Sequence, residues 1–213
     1  MIRIIANGRG YSMKIYRKIH AIIYGYAFKG KCDKKVSVRE YGITFKELHK
    51  KCIVGNGILR LNANAINVHE ASKLRIDRGG TLFINGIVSF YSNTNIHIGE
   101  NACLSIGHNT YINEGTKISV KKYLKIGSNC AISNNVSIMD SDFHTIVEKQ
   151  QNDIGVVIKD HVWIGADVTI LKNVTIGNNC IVGARSVVTK SIPDNCLAVG
   201  NPAKVIRNNI DWK

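Results

Sequence analysis

Proline is nearly missing from this chain, with two in 213 residues. That scarcity suits strands that depend on unbroken backbone ladders, because proline supplies no ladder donor. Long apolar runs are missing too. A membrane-spanning helix needs about 18 or more such residues, and the stretch from Ile19 to Phe28 is shorter and interrupted by His20 and Gly25. No basic n-region, apolar h-region and cleavage site marks secretion. The six cysteines contain no C-x-x-C pair and no metal-ligand spacing, and none has a His or other base nearby in sequence. They are expected to be reduced, buried thiols of a cytosolic protein, not catalytic nucleophiles. The positive charge is not interleaved with aromatics and comes with no groove-reading motif, which argues against nucleic acid.

What is present is a period of six. Ile158, Ile164, Ile170, Ile176, Val182 and Val188 follow one another at every sixth position. Neither the 3.6 of a helix nor the alternation of an ordinary strand gives that spacing. It predicts a solenoid built from short strands and corners, three units making a coil of about eighteen residues. Gly165, Gly177 and Gly183 follow the aliphatic position directly, where a corner benefits from having no Cβ. Asn178 and Asn179 are suited to a left-handed corner. Val168, Val174, Cys180 and Ser186 put something small or β-branched in the fifth position, where the corner interior is cramped.

Upstream the pattern continues with slips. Ile106, Ile112, Ile118 and Leu124 keep the spacing, after which it jumps to Ile126, Ile132 and Ile138. Doublets such as Leu74-Arg75-Ile76 and Leu104-Ser105-Ile106 indicate coils with a wider corner. The coil domain is expected over 52–206, followed by a tail at 207–213. Its long interruption from Asp140 to Val157 exceeds the usual length of a structureless loop and suggests function.

Net charge is +14, and most of it lies at one end. Residues 1–52 hold thirteen Lys and Arg against Asp33, Glu40 and Glu47. Within the segment 1–51, Ile15, Ile19, Ile22, Ile23 and Tyr26 share a helical face, with Lys14, Arg17 and Lys18 off it. Such a basic amphipathic helix either packs its apolar stripe on the coil or a neighbouring subunit, or contacts an anionic membrane or glycan.

Three segments carry a resemblance: Asp160-His161-Val162-Trp163-Ile164-Gly165-Ala166, Val182-Gly183-Ala184-Arg185-Ser186-Val187-Val188-Thr189-Lys190, and Val199-Gly200-Asn201-Pro202-Ala203-Lys204-Val205-Ile206-Arg207. Through them the chain resembles the hexapeptide-repeat acyltransferases, and within these the sugar and polysaccharide O-acetyltransferases. The resemblance implies a left-handed parallel β-helix, a homotrimer and acetyl-CoA as acyl donor, with no metal. It also implies that His144, in Met139-Asp140-Ser141-Asp142-Phe143-His144, is the general base. An imidazole, with an ordinary pKa near 6.5, suits that task. Asp140 or Asp142 would orient the ring, with Asp142 also beside the acceptor. By the same resemblance Asn113 touches the acceptor and Trp163 borders the site. The Ala166 N–H meets the thioester oxygen. Ala184, Thr189 and Lys190 flank the pantetheine and phosphates, and Lys204 and Arg207 meet the 3′-phosphate. Lys121 and Lys122 stand where small-sugar enzymes are acidic, which favours an anionic glycan.

These residues predict a cytoplasmic O-acetyltransferase acting on a saccharide hydroxyl, possible peripheral membrane contact arising only from the basic segment. N-acetylation of an aminosugar or antibiotic is the rival enzyme reading. Residues 1–52 are too short for a nucleotide-binding domain and lack its glycine-rich turn. A zinc-dependent carbonic anhydrase on the same solenoid would need closely spaced histidines that His97, His108, His144 and His161 do not provide. A non-catalytic scaffold is the alternative outside enzymes.

Overall fold

The computed structural model describes residues 31, 36–40, 43–46, 48, 51–61, 72–144 and 154–213. The amphipathic helix expected around Ile15 to Tyr26 lies outside the described residues, as do residues 145–153 of the long loop.

The first coils contain β1 (Val36–Glu40), β2 (Ile43–Lys46), β3 (Ile53–Leu61), β4 (Ser72–Ile76), β5 (Thr81–Phe90) and β6 (Asn95–Ile98). The middle coils contain β7 (Cys103–Ile106), β8 (Thr110–Ile112), β9 (Lys117–Val120), β10 (Tyr123–Ile126), β11 (Ala131–Ile132) and β12 (Ser137–Met139). Beyond the loop come β13 (Val156–Ile158), β14 (Trp163–Ile164), β15 (Thr169–Ile170), β16 (Thr175–Ile176), β17 (Ile181–Val182), β18 (Val187–Val188), β19 (Cys196–Gly200) and β20 (Ala203–Asn208).

These strands stack in parallel on three faces of an all-β solenoid. Face one carries the first half of β5, then β7, β10, β13 and β16. Face two carries the second half of β5, then β8, β11, β14, β17 and β19. Face three carries β2, β4, β6, β9, β12, β15 and β18. Each coil visits the faces in that order, so three edges run along the solenoid: 1–2, 2–3 and 3–1. Among the described residues only β20 runs antiparallel, against β19. The expected boundary at 51/52 falls after two strands already belonging to the ladders, since β1 pairs with β3 and β2 with β4. Their residues carry no six-residue period, which is why sequence spacing missed them. The boundary at 206/207 falls inside β20.

Periodicity becomes packing directly. Ile158, Ile164, Ile170, Ile176, Val182 and Val188 are all completely buried, each stacked on its equivalents in neighbouring coils. Burying such a side chain contributes about 1.5–3 kcal/mol. The doublets are four- and five-residue strands that turn two side chains inward, as Leu74 and Ile76 do. They belong to wider coils. Hydrogen-bonded residues of adjacent coils are 22 positions apart at Ser72 and Thr94, 20 at Asn109 and Asn129, 18 at His161 and Asn179, and 16 at Asn179 and Asn195. The solenoid therefore narrows along the chain, and the shifting period in the sequence is this taper.

Edge 1–2 is a column of left-handed residues: Asn109, Asn129, His161, Asn179 and Asn195, with φ of 55–59°. Asn179 fills the expected corner role, but Asn178 does not adopt it. Asn178 instead accepts from the Asp160 N–H (3.1 Å) and donates its amide to Asp194 (3.1 Å), bridging coils. The Lys159 ammonium and the Asn178 donors hold the Asp194 carboxyl below its ordinary value. At edge 2–3, a Cβ on Gly165 would come within 2.6 Å of the Ala184 backbone N, so close coil approach requires glycine there.

Candidate active site

The long loop leaves face three after β12, at edge 3–1. Asp140 occupies the inward position held by Val120 in the coil before it and is fully buried. A buried carboxylate must be satisfied, and this one accepts the backbone N–H groups of Lys121 (2.7 Å), Lys122 (2.7 Å) and Tyr123 (2.8 Å). It clamps the corner of the preceding coil. The Asp142 carboxylate meets Lys172 Nζ at 2.6 Å, tying the loop to the following coil. Ser141 Oγ accepts the Phe143 N–H (3.1 Å), and Phe143 takes φ 59°, so the chain turns sharply just before the exposed His144. On the returning side, the Ile154 N–H donates to Asn173 Oδ1 at 2.8 Å. Both described ends of the loop are thus pinned to the coil that contains residues 172 and 173.

A second group gathers at edge 2–3. Asn113 follows β8 and donates its N–H to Ile132 O (2.9 Å). Ser133 stands in the next coil, and its Oγ accepts from Trp163 Nε1 at 3.3 Å. On face two, small Ala131 lies in register between Tyr111 and Trp163, two aromatics that are 41% and 42% exposed. Face two therefore presents two exposed aromatic side chains beside this edge, a surface suited to an apolar sugar face. Ala166 and Ala184 succeed Gly165 and Gly183 at this edge. Ala166 O accepts from the Arg185 N–H at 2.8 Å, while the Ala166 N–H has no acceptor among the described residues.

Sequence reasoning did not single out Trp212. The chain beyond β20 folds back until Trp212 stacks on His161, and it lies 6.0 Å from Trp163, centroid to centroid. Ser133 and Lys172 were missed as well. Only Asp140 left a readable signal, a charged residue standing where Val120 stands in the preceding coil.

The remaining expected donor-binding residues divide between two places. Thr189 and Lys190 are exposed at edge 3–1, directly after β18, whereas Lys204 and Arg207 are exposed on β20. The structure therefore brings Asn113, Trp163, Ala166 and Ala184 to one edge and His144, Thr189 and Lys190 to another, with face three between them. Among the described residues no group of three His, Cys, Asp or Glu side chains is arranged to hold a metal ion. Cys130 is completely buried, and that burial pushes its thiol up to about 11.

Residues 155–190 match the family described as bacterial transferase hexapeptide (six repeats). Over these residues the chain is similar to the hexapeptide-repeat transferases. Over 133 residues it is 35% identical to the galactoside O-acetyltransferase of Escherichia coli strain K12, covering 61% of this chain and 62% of that protein. It is 34% identical over 113 residues to the polysialic acid O-acetyltransferase of Escherichia coli O1:K1, covering 50% and 37%. Among solved structures, the polysialic acid O-acetyltransferase OatWY superposes with a TM-score of 0.55 at 26% identity, covering 84% of this chain and 90% of that one. The aligned part spans roughly half the length of the curated relatives, from 37% to 62%.

Proposed function

We propose that this protein transfers an acetyl group from acetyl-CoA to a hydroxyl of a saccharide, in the manner of the sugar and polysaccharide O-acetyltransferases it resembles. The observation that carries the reading is the presentation of His144. A fully buried Asp140, the Asp142–Lys172 pair and the left-handed Phe143 place an exposed imidazole at the break between two stacks of regular coils. His144 takes the proton of the acceptor hydroxyl as its oxygen attacks the thioester carbonyl. The carbon–sulfur bond breaks, and the proton passes to the departing thiolate. The Ala166 N–H stabilises the oxyanion. Asn113 offers its amide to the acceptor, and the exposed rings of Tyr111 and Trp163 pack on a sugar ring.

Since His144 and the Asn113 edge lie on opposite sides of face three, this reading completes the site with a second copy of the chain, edge 2–3 of one meeting edge 3–1 of the next. A closed arrangement of that heterologous contact is a ring, and a homotrimer is the smallest that leaves each face three inward. Thr189 and Lys190 then join Ala166 and Ala184 along one donor track that ends at Lys204 and Arg207. Among the described residues no helix is long and apolar enough to cross a membrane. We place the protein in the cytoplasm, where acyl-CoA is made, with the basic segment 1–51 as its only candidate for membrane contact.

The test is thiol release from acetyl-CoA in the presence of galactosides or polysialic acid, with mass spectrometry of the glycan. Wild type should acetylate a hydroxyl, and His144→Ala should lower kcat by about 10²–10⁴ with CoA binding retained. Turnover by the variant within about threefold of wild type would remove His144 from the chemistry.

A further inference from the structure

Copies related by rotation about an axis parallel to the solenoid keep every residue at its own height. Each strand of face three then meets its own equivalent end to end: the corner entering it in one copy faces the corner leaving it in the next. At β9 those corners carry opposite charges. Glu114 stands at edge 2–3 just before the strand, and Lys121 and Lys122 follow it directly at edge 3–1. Within one chain the strand keeps Glu114 and Lys121 about 20 Å apart, at ~3.3 Å per residue, so their side chains cannot meet. Along the axis they differ by a third of a coil, about 1.6 Å. Both charges are held in place. Ser92 Oγ donates to the Glu114 carboxylate at 3.0 Å, and the buried Asp140 accepts the backbone N–H groups of Lys121 and Lys122 at 2.7 Å each. Glu114 and Lys121 are exposed, and neither has an ion-pair partner among the described residues. Other levels differ. At β15 Asp167 faces Lys172, but within the chain Lys172 already meets Asp142 at 2.6 Å and Asp167 lies 3.8 Å from Arg185. At β18 Arg185 faces Lys190, two like charges, at the level of the proposed donor track.

We infer that Glu114 of each copy pairs with Lys121 of the next, and that this contact sets the height at which two copies dock. The inference rests on the shared-site reading and gives that interface its register. A slip of one coil, about 4.8 Å, removes the pair in either direction. One way it sets Glu114 against the exposed Glu100, a like charge; the other way it meets the loop at Asp142, which Lys172 already holds. The pair also joins the two halves of the transfer site. Asn113 adjoins Glu114 on one copy, and on the next Asp140, which holds the Lys121 corner, begins the segment that presents His144. The acceptor-side amide and the imidazole are thereby brought to one level from different chains.

The experiment follows the full chain by sedimentation across a dilution series, with thiol release from acetyl-CoA measured alongside. Wild type should be a trimer. Glu114→Lys turns an exposed attraction into a repulsion at every interface, and should raise the concentration needed for half-assembly by about tenfold. Lys121→Glu/Lys122→Glu should do the same, and combining all three substitutions in one chain should restore assembly. Glu114→Gln only neutralises, so its assembly should weaken less than that of wild type between low salt and 0.15 M, where screening acts over about 8 Å. Lys125→Glu, exposed on face one, is the control and should assemble as wild type does. Assembly of Glu114→Lys equal to that of wild type would overturn the inference. So would a triple variant that melts as wild type does and assembles no better than the single reversals. A wild-type monomer that transfers acetyl groups would instead overturn the shared-site reading beneath it. Assembly is measured without turnover, so the charge-swap rescue can succeed while thiol release fails.

Discussion

Trp212 lies flat on His161, ring centroids 4.3 Å apart and planes 13° from parallel, and donates its indole N–H to the His161 carbonyl at 3.0 Å. His161 itself holds the left-handed corner that directs the chain into β14, where Trp163 begins. The returning tail therefore braces the strand that carries the exposed Trp163.

Replacing Trp212 with Ala removes a stacked pair and one hydrogen bond, an expected loss of about 1–2 kcal/mol. Released from its neighbour, Trp163 should show altered fluorescence, and KM for the saccharide should rise more than kcat falls. Trp212→Phe should recover most of the stacking but not the hydrogen bond. A melting curve, an emission spectrum and steady-state kinetics on both variants check this. An unchanged KM in Trp212→Ala would confine the residue to holding the tail.

Asp140→Ala should be among the most damaging single changes outside the aliphatic core. It leaves three backbone N–H groups at residues 121–123 without the acceptor that reaches them from a fully buried position, each costing up to about 1–3 kcal/mol where water does not replace it. Asp140→Asn keeps part of the acceptor capacity and should cost less. Denaturant unfolding measures both. A loss below about 1 kcal/mol for Asp140→Ala would mean that water replaces the carboxylate.

The coils were legible because their cause is local and repeated. An inward aliphatic at Ile164 or Ile176 must recur wherever the chain returns to the same face, so spacing alone reports the solenoid. The wider corners were visible too, as doublets, but the steady narrowing from 22 to 16 positions per coil came only with the hydrogen-bonded register. Side-chain pairing across coils was not. Lys172 meets Asp142, and Trp212 reaches His161 across 51 positions, through contacts that no periodic signal encodes. Asn113 and His144 could be singled out by type and resemblance. That they stand on different edges follows from counting faces around the coil, which requires the register of every strand between them.

Cys130 gives a signed pH dependence. Burial raises its thiol from 9.0 to about 11 in the folded state, so the folded protein keeps a proton that the unfolded chain loses. Its contribution to stability is fully present below pH 9 and declines as the pH rises from about 9 to 11. Cys130→Ser should flatten that alkaline decline, at the expense of some stability at neutral pH because a hydroxyl replaces a buried thiol. Native protein should also resist alkylation at this residue until it unfolds. Rapid labelling of Cys130 at pH 8 would contradict the protection.

The shared site makes the last prediction quantitative. His144→Ala damages edge 3–1, and Trp163→Ala damages face two beside edge 2–3. If each transfer site takes its imidazole from one copy and its aromatic wall from the next, co-assembled equal amounts of the two inactive variants regain undamaged sites at random. Each site has one chance in two of receiving an intact His144 and one in two of receiving an intact Trp163, so activity should return to about a quarter of wild type. A site contained within one chain has no such route, because every chain then carries one lesion. Activity measured after joint refolding, with each variant refolded alone as reference, decides between the two. Recovery near a quarter places the chemistry between copies, and none places it within one chain.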